Sequence, residues 1–410
     1  MLSHKRTALP SAIQSIALPA IGTTTLCAQQ PASYPRRILL AVTGLSPQVV
    51  TETLYALAVS GKPAFIPTEV HLITTAEGAE RARLMLLDAA AGRFFQFLEE
   101  YSIDPYAITF DETHIHVVNN TDGIPLTDIQ TEADNSAVAN AITEKVRTFT
   151  EDDGCALHAS IAGGRKTMGF YLGYALSLYG RAQDRLSHVL VNPPFDSHHH
   201  FYYPPATPRR LMIRERPAHT RDARVMLADI PFVRLRNGLP TRLQTGGASF
   251  SETITAAQTA LEPAQLVINL TTRQILAGSE TIKLPTADFA FYAWLAWRQL
   301  HGHEPVRWTD TNVQHEYLEL YQDICGEMSQ QPERTETALQ DGFTKEWMEQ
   351  RKSKTNAALR KALGETLAEA YLIHSHGKRP HTRSGISLTA SAILIQPQTP
   401  ACDTTQSHDS

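Results

Sequence analysis

Two short stretches hold the residues best suited to chemistry. Thr43-Gly44-Leu45-Ser46-Pro47-Gln48 sets a glycine, which permits close backbone approach, among three neutral hydrogen-bonding side chains, Thr43, Ser46 and Gln48. Ala162-Gly163-Gly164-Arg165-Lys166-Thr167 joins two glycines to two cations and a hydroxyl. Glycines in a turn that opens a helix let backbone N–H groups point at one spot. The helix dipole adds positive potential there, and Arg165 and Lys166 add full charges. Such turns suit phosphate, with the neutral groups of the first available to phosphate or ribose. Each also has an ordinary reading, since Gly-Gly before two basic residues is often a solvated turn and Ser-Pro-Gln often only a helix cap. The combination points to an anion site because both turns fall between a strand and a helix.

The elements that position these turns follow from hydrophobic patterning. ILLAV (38–42) is a continuous apolar run, followed by the first turn and a helical pattern through Val49, Val50, Leu54, Tyr55 and Leu57. Ser46 stands where an N-cap would, with Pro47 at the first helical position. EVHLITT (69–75) reads as a second strand leading into one long amphipathic helix from Glu77 to Tyr101. THIHVV (113–118) is a third strand with its helix over Thr131–Thr148. CALHASIA (155–162) is a fourth, turning through the second motif into a helix over Thr167–Tyr179. LSHVLVNP (186–193), HFYYP (200–204) and ADIPFVRLR (228–236) read as further strands. Strands alternating with helices imply an α/β, Rossmann-like domain with a mostly parallel sheet, and ligands of such sheets sit at the carboxyl ends of the strands.

Several chemistries are excluded or weakened. No GxGxxG follows the first strand, which weakens a dinucleotide cofactor, and the second turn lacks GxxxxGK[ST] spacing and a Mg²⁺-binding carboxylate pair. The run His198-His199-His200 lies on an expected strand edge, where alternate side chains point to opposite faces, so no metal site is assigned to it. No cofactor is expected.

The chain has 410 residues, enough for two domains, with 42% hydrophobic and 19% charged residues. A net charge of -5 argues against a protein coated in basic residues for nucleic acid, so charge must be read by segment. The four cysteines (Cys27, Cys155, Cys325 and Cys402) form no CxxC pair, which fits a reducing cytoplasm. No stretch approaches the roughly 20 apolar residues of a membrane span. Residues 1–35 read as a disordered leader, because Pro10, Gln14, Pro19 and a threonine run interrupt any apolar core of a secretion signal.

RRILLAVTGLSPQVVTETLYAL (36–57) and SIAGGRKTMGFYLGYALSLYG (160–180) resemble the two signature stretches of the CRISPR-associated Rossmann fold (CARF) family. LTDIQTEADN (126–135) and ADIPFVRLR resemble its ring nuclease subgroup, so that the resemblance spans residues 36–236. It implies a homodimer binding cyclic oligoadenylate, with cyclic tetra-adenylate lying across the two-fold axis. Carried over are Thr43, Gly44, Ser46 and Gln48 in the first motif, and Gly163, Gly164, Arg165, Lys166 and Thr167 in the second. Asp128 and Thr131 are implied as adenine or ribose contacts. The resemblance further implies ring opening without metal, with Lys166 and Arg165 stabilising charge and Ser46 and Gln48 positioning the reacting sugar. Nothing in the motifs is an obvious general base, so pure binding stays open.

Residues 237–262 have linker composition, and 263–392 resemble in pattern a winged helix-turn-helix-like α+β domain, followed by a disordered tail over 393–410. That pattern is two short strands within 266–284, helices over 287–302, 312–328 and 345–364, and a hairpin over 371–388. Lys345–Arg383 carries nine Lys/Arg against four Glu, consistent with a DNA contact through residues 345–384. Asp310–Asp341 carries eight acidic residues against Arg334 alone, which would repel DNA, and a solvated dimerisation surface explains the charges equally well. A messenger-gated transcription regulator is therefore the alternative function. A second alternative is a messenger-activated HEPN ribonuclease, whose R-x4-H spacing occurs at Arg298 and His303, although Gly302 should end that helix first.

Overall fold

The computed structural model describes residues 30–311, 313–325, 337, 339, 342–378 and 381–397. The leader up to residue 29, the tail from 398, Cys27, Cys402 and much of the acidic segment around Arg334 lie outside the described residues.

The apolar run becomes β1 (Arg36–Val42), with Ile38–Val42 buried on both faces. It is joined by β2 (Glu69–Thr74), β3 (Ile115–Val117), β4 (Cys155–Ser160) and β5 (Arg185–Val191), all parallel. A hairpin of β6 (Arg210–Ile213) and β7 (Arg216–His219) stands apart, and β8 (Val225–Asp229) returns antiparallel to β5. The sheet order is β3-β2-β1-β4-β5-β8. The chain winds outward from β1 to β3, then restarts at β4 on the other side of β1. The mostly parallel, doubly wound sheet is therefore as expected, and β1 and β4 adjoin at the point where its winding reverses.

Helices cover both faces. On one side α1 (Gln48–Leu54), α2 (Ala76–Ala82) and α3 (Arg93–Glu100) pack on Leu39, Val70 and Leu72 through Leu54, Ala79, Phe94 and Phe97. On the other, α4 (Glu132–Glu151) and α5 (Lys166–Tyr179) pack on Leu40, Ile73 and Leu157 through Ile142, Val146, Leu172 and Leu176. No described helix is long and apolar enough to cross a membrane.

Several expected elements differ. The single helix over Glu77–Tyr101 is two helices, because Asp88 Oδ1 accepts from Ala90 and Ala91 N–H (3.0 and 2.7 Å), and any side chain on Gly92 would strike Asp88 O. HFYYP is not a strand: Phe201, Tyr202 and Tyr203 are buried from a loop. The last strand is Val225–Asp229, so residues 230–236 lie past it. Residues 237–262 hold two helices, α6 (Thr241–Thr245) and α7 (Phe250–Leu261). The second starts at a reciprocal Ser249–Glu252 capping box. Its Phe250 ring lies 5.2 Å from that of Tyr171, and Thr253 Oγ1 is 3.1 Å from Tyr179 Oη, so the segment is fastened to α5.

The C-terminal unit is α+β. It opens with a three-strand meander, β9 (Leu266–Asn269), β10 (Gln274–Ala277) and β11 (Glu280–Lys283), where two strands were expected. Helices α8 (Thr286–Leu300), α9 (Val313–Cys325) and α10 (Lys345–Ala368) follow, then the hairpin β12 (Ile373–His376) and β13 (Arg383–Ile386). Gly364, at φ 79°, breaks α10 where the sequence ends it. Residues 393–396, expected in the tail, form β14 (Ile393–Gln396) parallel to β9, because Ile393 joins the core.

Candidate functional site

The two motif turns leave the carboxyl ends of neighbouring strands, and glycine lets them touch. A Cβ on Gly44 would stand 3.7 Å from Gly164 Cα, and one on Gly163 would stand 2.8 Å from Val42 O. Gly164 adopts φ 79°, a conformation that strains other residues. The turn after β2 joins them, since a Cβ on Gly78 would stand 2.8 Å from Gly44 O.

Thr43 is buried and fastens the first turn from within. Its Oγ1 donates to Ser46 O (3.1 Å), and its carbonyl accepts from Thr74 Oγ1 (2.7 Å). Pro47 rather than Ser46 occupies the N-cap, without a side-chain cap, and Ser46 is exposed. Gln48 turns toward the histidine run: Nε2 donates to His199 O (3.2 Å), while Oε1 is buried without a partner. The three histidines occupy a loop, not a strand edge, so their rings neighbour one another instead of alternating. The centroids of His199 and His200 are 4.1 Å apart.

In the second turn Gly164, Arg165, Lys166 and Thr167 are exposed. Lys166 is the first residue of α5, and no carboxylate pairs with it among the described residues. Arg165 is committed: its guanidinium forms a two-pronged ion pair with Asp128, including Nε to Oδ1 at 3.1 Å. That guanidinium holds the Asp128 carboxyl below the usual carboxylate range, and Asp128 in turn raises Arg165. Thr131 caps α4, accepting from Asp134 N (3.1 Å) while its own N–H donates to Asp134 Oδ2 (2.9 Å).

A cavity of about 290 Å³ lies between the turns, lined by Gly44, Leu45, Thr75, Glu77, Thr127, Asp128, Gly164, Arg165 and Met168. Sequence reasoning missed Thr75, Glu77, Thr127 and Met168. A signal existed for the first two, because Thr-Thr-Ala-Glu-Gly (74–78) is also a strand-to-helix turn, with Thr75 capping α2. Of the cavity's charges, Arg165 is offset by Asp128 and Glu77 adds a negative charge. Lys166, next to Arg165 and exposed, is not part of the lining and pairs with no carboxylate among the described residues.

The basic C-terminal segment is less available than its composition implies. Arg351 pairs with buried Asp288 (2.7 Å), Arg383 with Asp310 (2.6 Å) and Arg360 with Glu365 (3.1 Å). Lys352 is half-buried and donates to Ser375 Oγ (2.5 Å). Lys345, Lys354, Lys361 and Lys378 are exposed, whereas Arg379 lies outside the described residues. Arg298 is buried in an ion pair with Glu316, and His303 lies beyond the end of α8, where Gly302 takes φ 73°. The two do not share a helix face.

Residues 46–263 match the family described as CRISPR-associated protein NE0113. No curated protein matches the chain.

Proposed function

The chain belongs to the CRISPR-associated protein NE0113 family, and on that premise we propose that it binds a cyclic oligoadenylate at the carboxyl ends of β1 and β4 and opens the ring. The observation that carries this reading is the contact of the two glycine turns where the sheet's winding reverses, with Lys166 uncompensated at the head of α5. Backbone N–H groups, a helix N-terminus and a free ammonium are what a phosphodiester selects.

About 290 Å³ is at the small end of ligand pockets, which span roughly 300–1,000 Å³. One chain therefore houses part of a cyclic tetra-adenylate, and a second copy across a two-fold axis supplies the rest. Ring opening requires a ribose 2′-oxygen to bond to its adjacent phosphorus while the P–O5′ bond breaks. The 2′-OH proton leaves, the 5′-oxygen takes one up, and a 2′,3′-cyclic phosphate remains. Holding the sugar in line and stabilising phosphorane charge suffices. Lys166 supplies the charge, Arg165 orients through Asp128, and Ser46, exposed on the first turn, contacts the ribose. Gln48, tied to His199 O, fixes the first turn against the histidine loop.

Incubation with cyclic tetra-adenylate in EDTA, followed by product separation, tests the reading. Linear di-adenylate ending in a cyclic phosphate, absent with Lys166→Ala, is expected. Intact ring with no heat of binding would reject it.

A further inference from the structure

A second cluster of chemical groups sits at the opposite end of the sheet. Glu69 opens β2, His71 follows two residues on, and His114 ends the turn before β3. We infer that Glu69, His71 and His114 form a binding site for a divalent transition metal, with zinc as the best fit. Each offers a ligand atom, and these atoms all lie within 4.8 Å of one another.

The surroundings of each side chain fit that role. Arg36 Nε donates to Glu69 Oε1 (2.7 Å), leaving Oε2 beside His71 Nε2 at 3.0 Å. Arg36 Nη2 also reaches Oε2 (2.9 Å), and its hold on Oε1 survives if a metal takes that oxygen. The remaining nitrogen of His71, Nδ1, meets His116 Nε2 at 3.0 Å. His114 Nδ1 is engaged by Asp111 Oδ1 at 2.8 Å, which reserves Nε2 for a ligand. Thus Arg36, His116 and Asp111 each brace one ligand from behind, as outer-shell groups of metal sites do.

A hydrogen bond between Glu69 and His71 would satisfy those two residues alone. It gives no reason for His114 to sit with its ring 4.7 Å from that of His71 and its far nitrogen fixed on a carboxylate. A metal replacing the proton between Oε2 and Nε2 uses all three. Two imidazoles and one carboxylate select zinc over magnesium or calcium, and they leave a fourth position for water. Phe149, 4.7 Å from the His71 ring, walls the site on the helix side. The ion would clip β2 to the turn before β3, remote from the glycine turns, so this inference is independent of the proposed function.

The test is zinc binding by the purified full chain, followed by dialysis against competing chelator and by the visible spectrum after cobalt substitution. One retained ion per chain with a tetrahedral cobalt spectrum is expected. His114→Ala should lose it, and Asp111→Asn, which keeps every ligand, should weaken affinity roughly 10–100-fold. Replacing His198–His200 with alanine should leave retention unchanged. No retained zinc, wild-type affinity in both His114→Ala and Asp111→Asn, or loss confined to the His198–His200 variant would each overturn the assignment.

Discussion

Gly163 lies so close to Val42 that a methyl group on it would stand 2.8 Å from the Val42 carbonyl oxygen and 3.2 Å from Thr43 Cα. Both neighbours are main-chain atoms, so relief requires the first turn to move. Gly163→Ala should therefore cost about 1–3 kcal/mol through overpacking and separate the two halves of the cradle. Thermal denaturation should show a lowered Tm, and calorimetry should show loss of cyclic tetra-adenylate binding. Unchanged values for both would mean that the contact does not constrain the turns.

Arg165 and Lys166 are adjacent but unequal. Asp128 already offsets the arginine, whereas the lysine is uncompensated. A charge-assisted hydrogen bond is worth roughly 1.5–3 kcal/mol, so Lys166→Ala should weaken ring binding roughly 10–100-fold with an unchanged Tm. Arg165→Ala should weaken it at least as much, because it also leaves the Asp128 carboxylate unpaired in front of an anionic ligand. Titration calorimetry on both variants decides the order.

Glu77 places a carboxylate on the cavity wall and forms no ion pair among the described residues, Arg165 of the same wall being held by Asp128. For an anionic ligand this is a repulsive contact. Glu77→Gln should tighten binding several-fold, and more so at low salt, where screening is weak. Weaker binding would instead mean that the carboxylate accepts hydrogen bonds from the adenine or ribose.

Glu52 is buried on α1, and loss of hydration alone raises its carboxyl from 4.5 to about 7. The unfolded chain ionises this group at lower pH than the folded one. The contribution is therefore complete below about pH 4.5 and is lost as pH rises through about 7. Glu52→Gln should be more stable than the parent above neutrality, by up to about 3 kcal/mol, and indistinguishable from it in acid. Melting curves across pH would show parallel profiles if Glu52 has a compensating partner.

Arg351 shows why charge counting misleads in the C-terminal unit. Its side chain is largely withdrawn from water to meet Asp288 at 2.7 Å. Removing one partner of a buried pair costs roughly 3–5 kcal/mol, so Arg351→Ala should lower the denaturation midpoint sharply. Lys354→Ala and Lys361→Ala, both exposed, should leave it unchanged. If residues 345–384 contact DNA, those two lysine variants are the ones that flatten its salt dependence.

What the amino-acid sequence determined by itself was local. A continuous apolar run declared β1 as a buried strand, Gly-Gly before Arg165 declared a turn between a strand and a helix, and the helical pattern from Thr131 declared α4. These signals depend on neighbours a few residues apart, which is why they are readable in one dimension. Ser249 and Glu252 carried an equally local signal that linker composition obscured, and Asp88 with Gly92 interrupted a helix that amphipathic spacing alone extends through them. Tertiary structure alone decided which side chains were spent. The pairing of Arg165 with Asp128 spans 37 positions and that of Arg351 with Asp288 spans 63. The approach of His114 to Glu69 crosses between neighbouring strands. A charge is free or committed according to what the folded chain brings within a few ångströms of it, and the order of residues does not contain that distance.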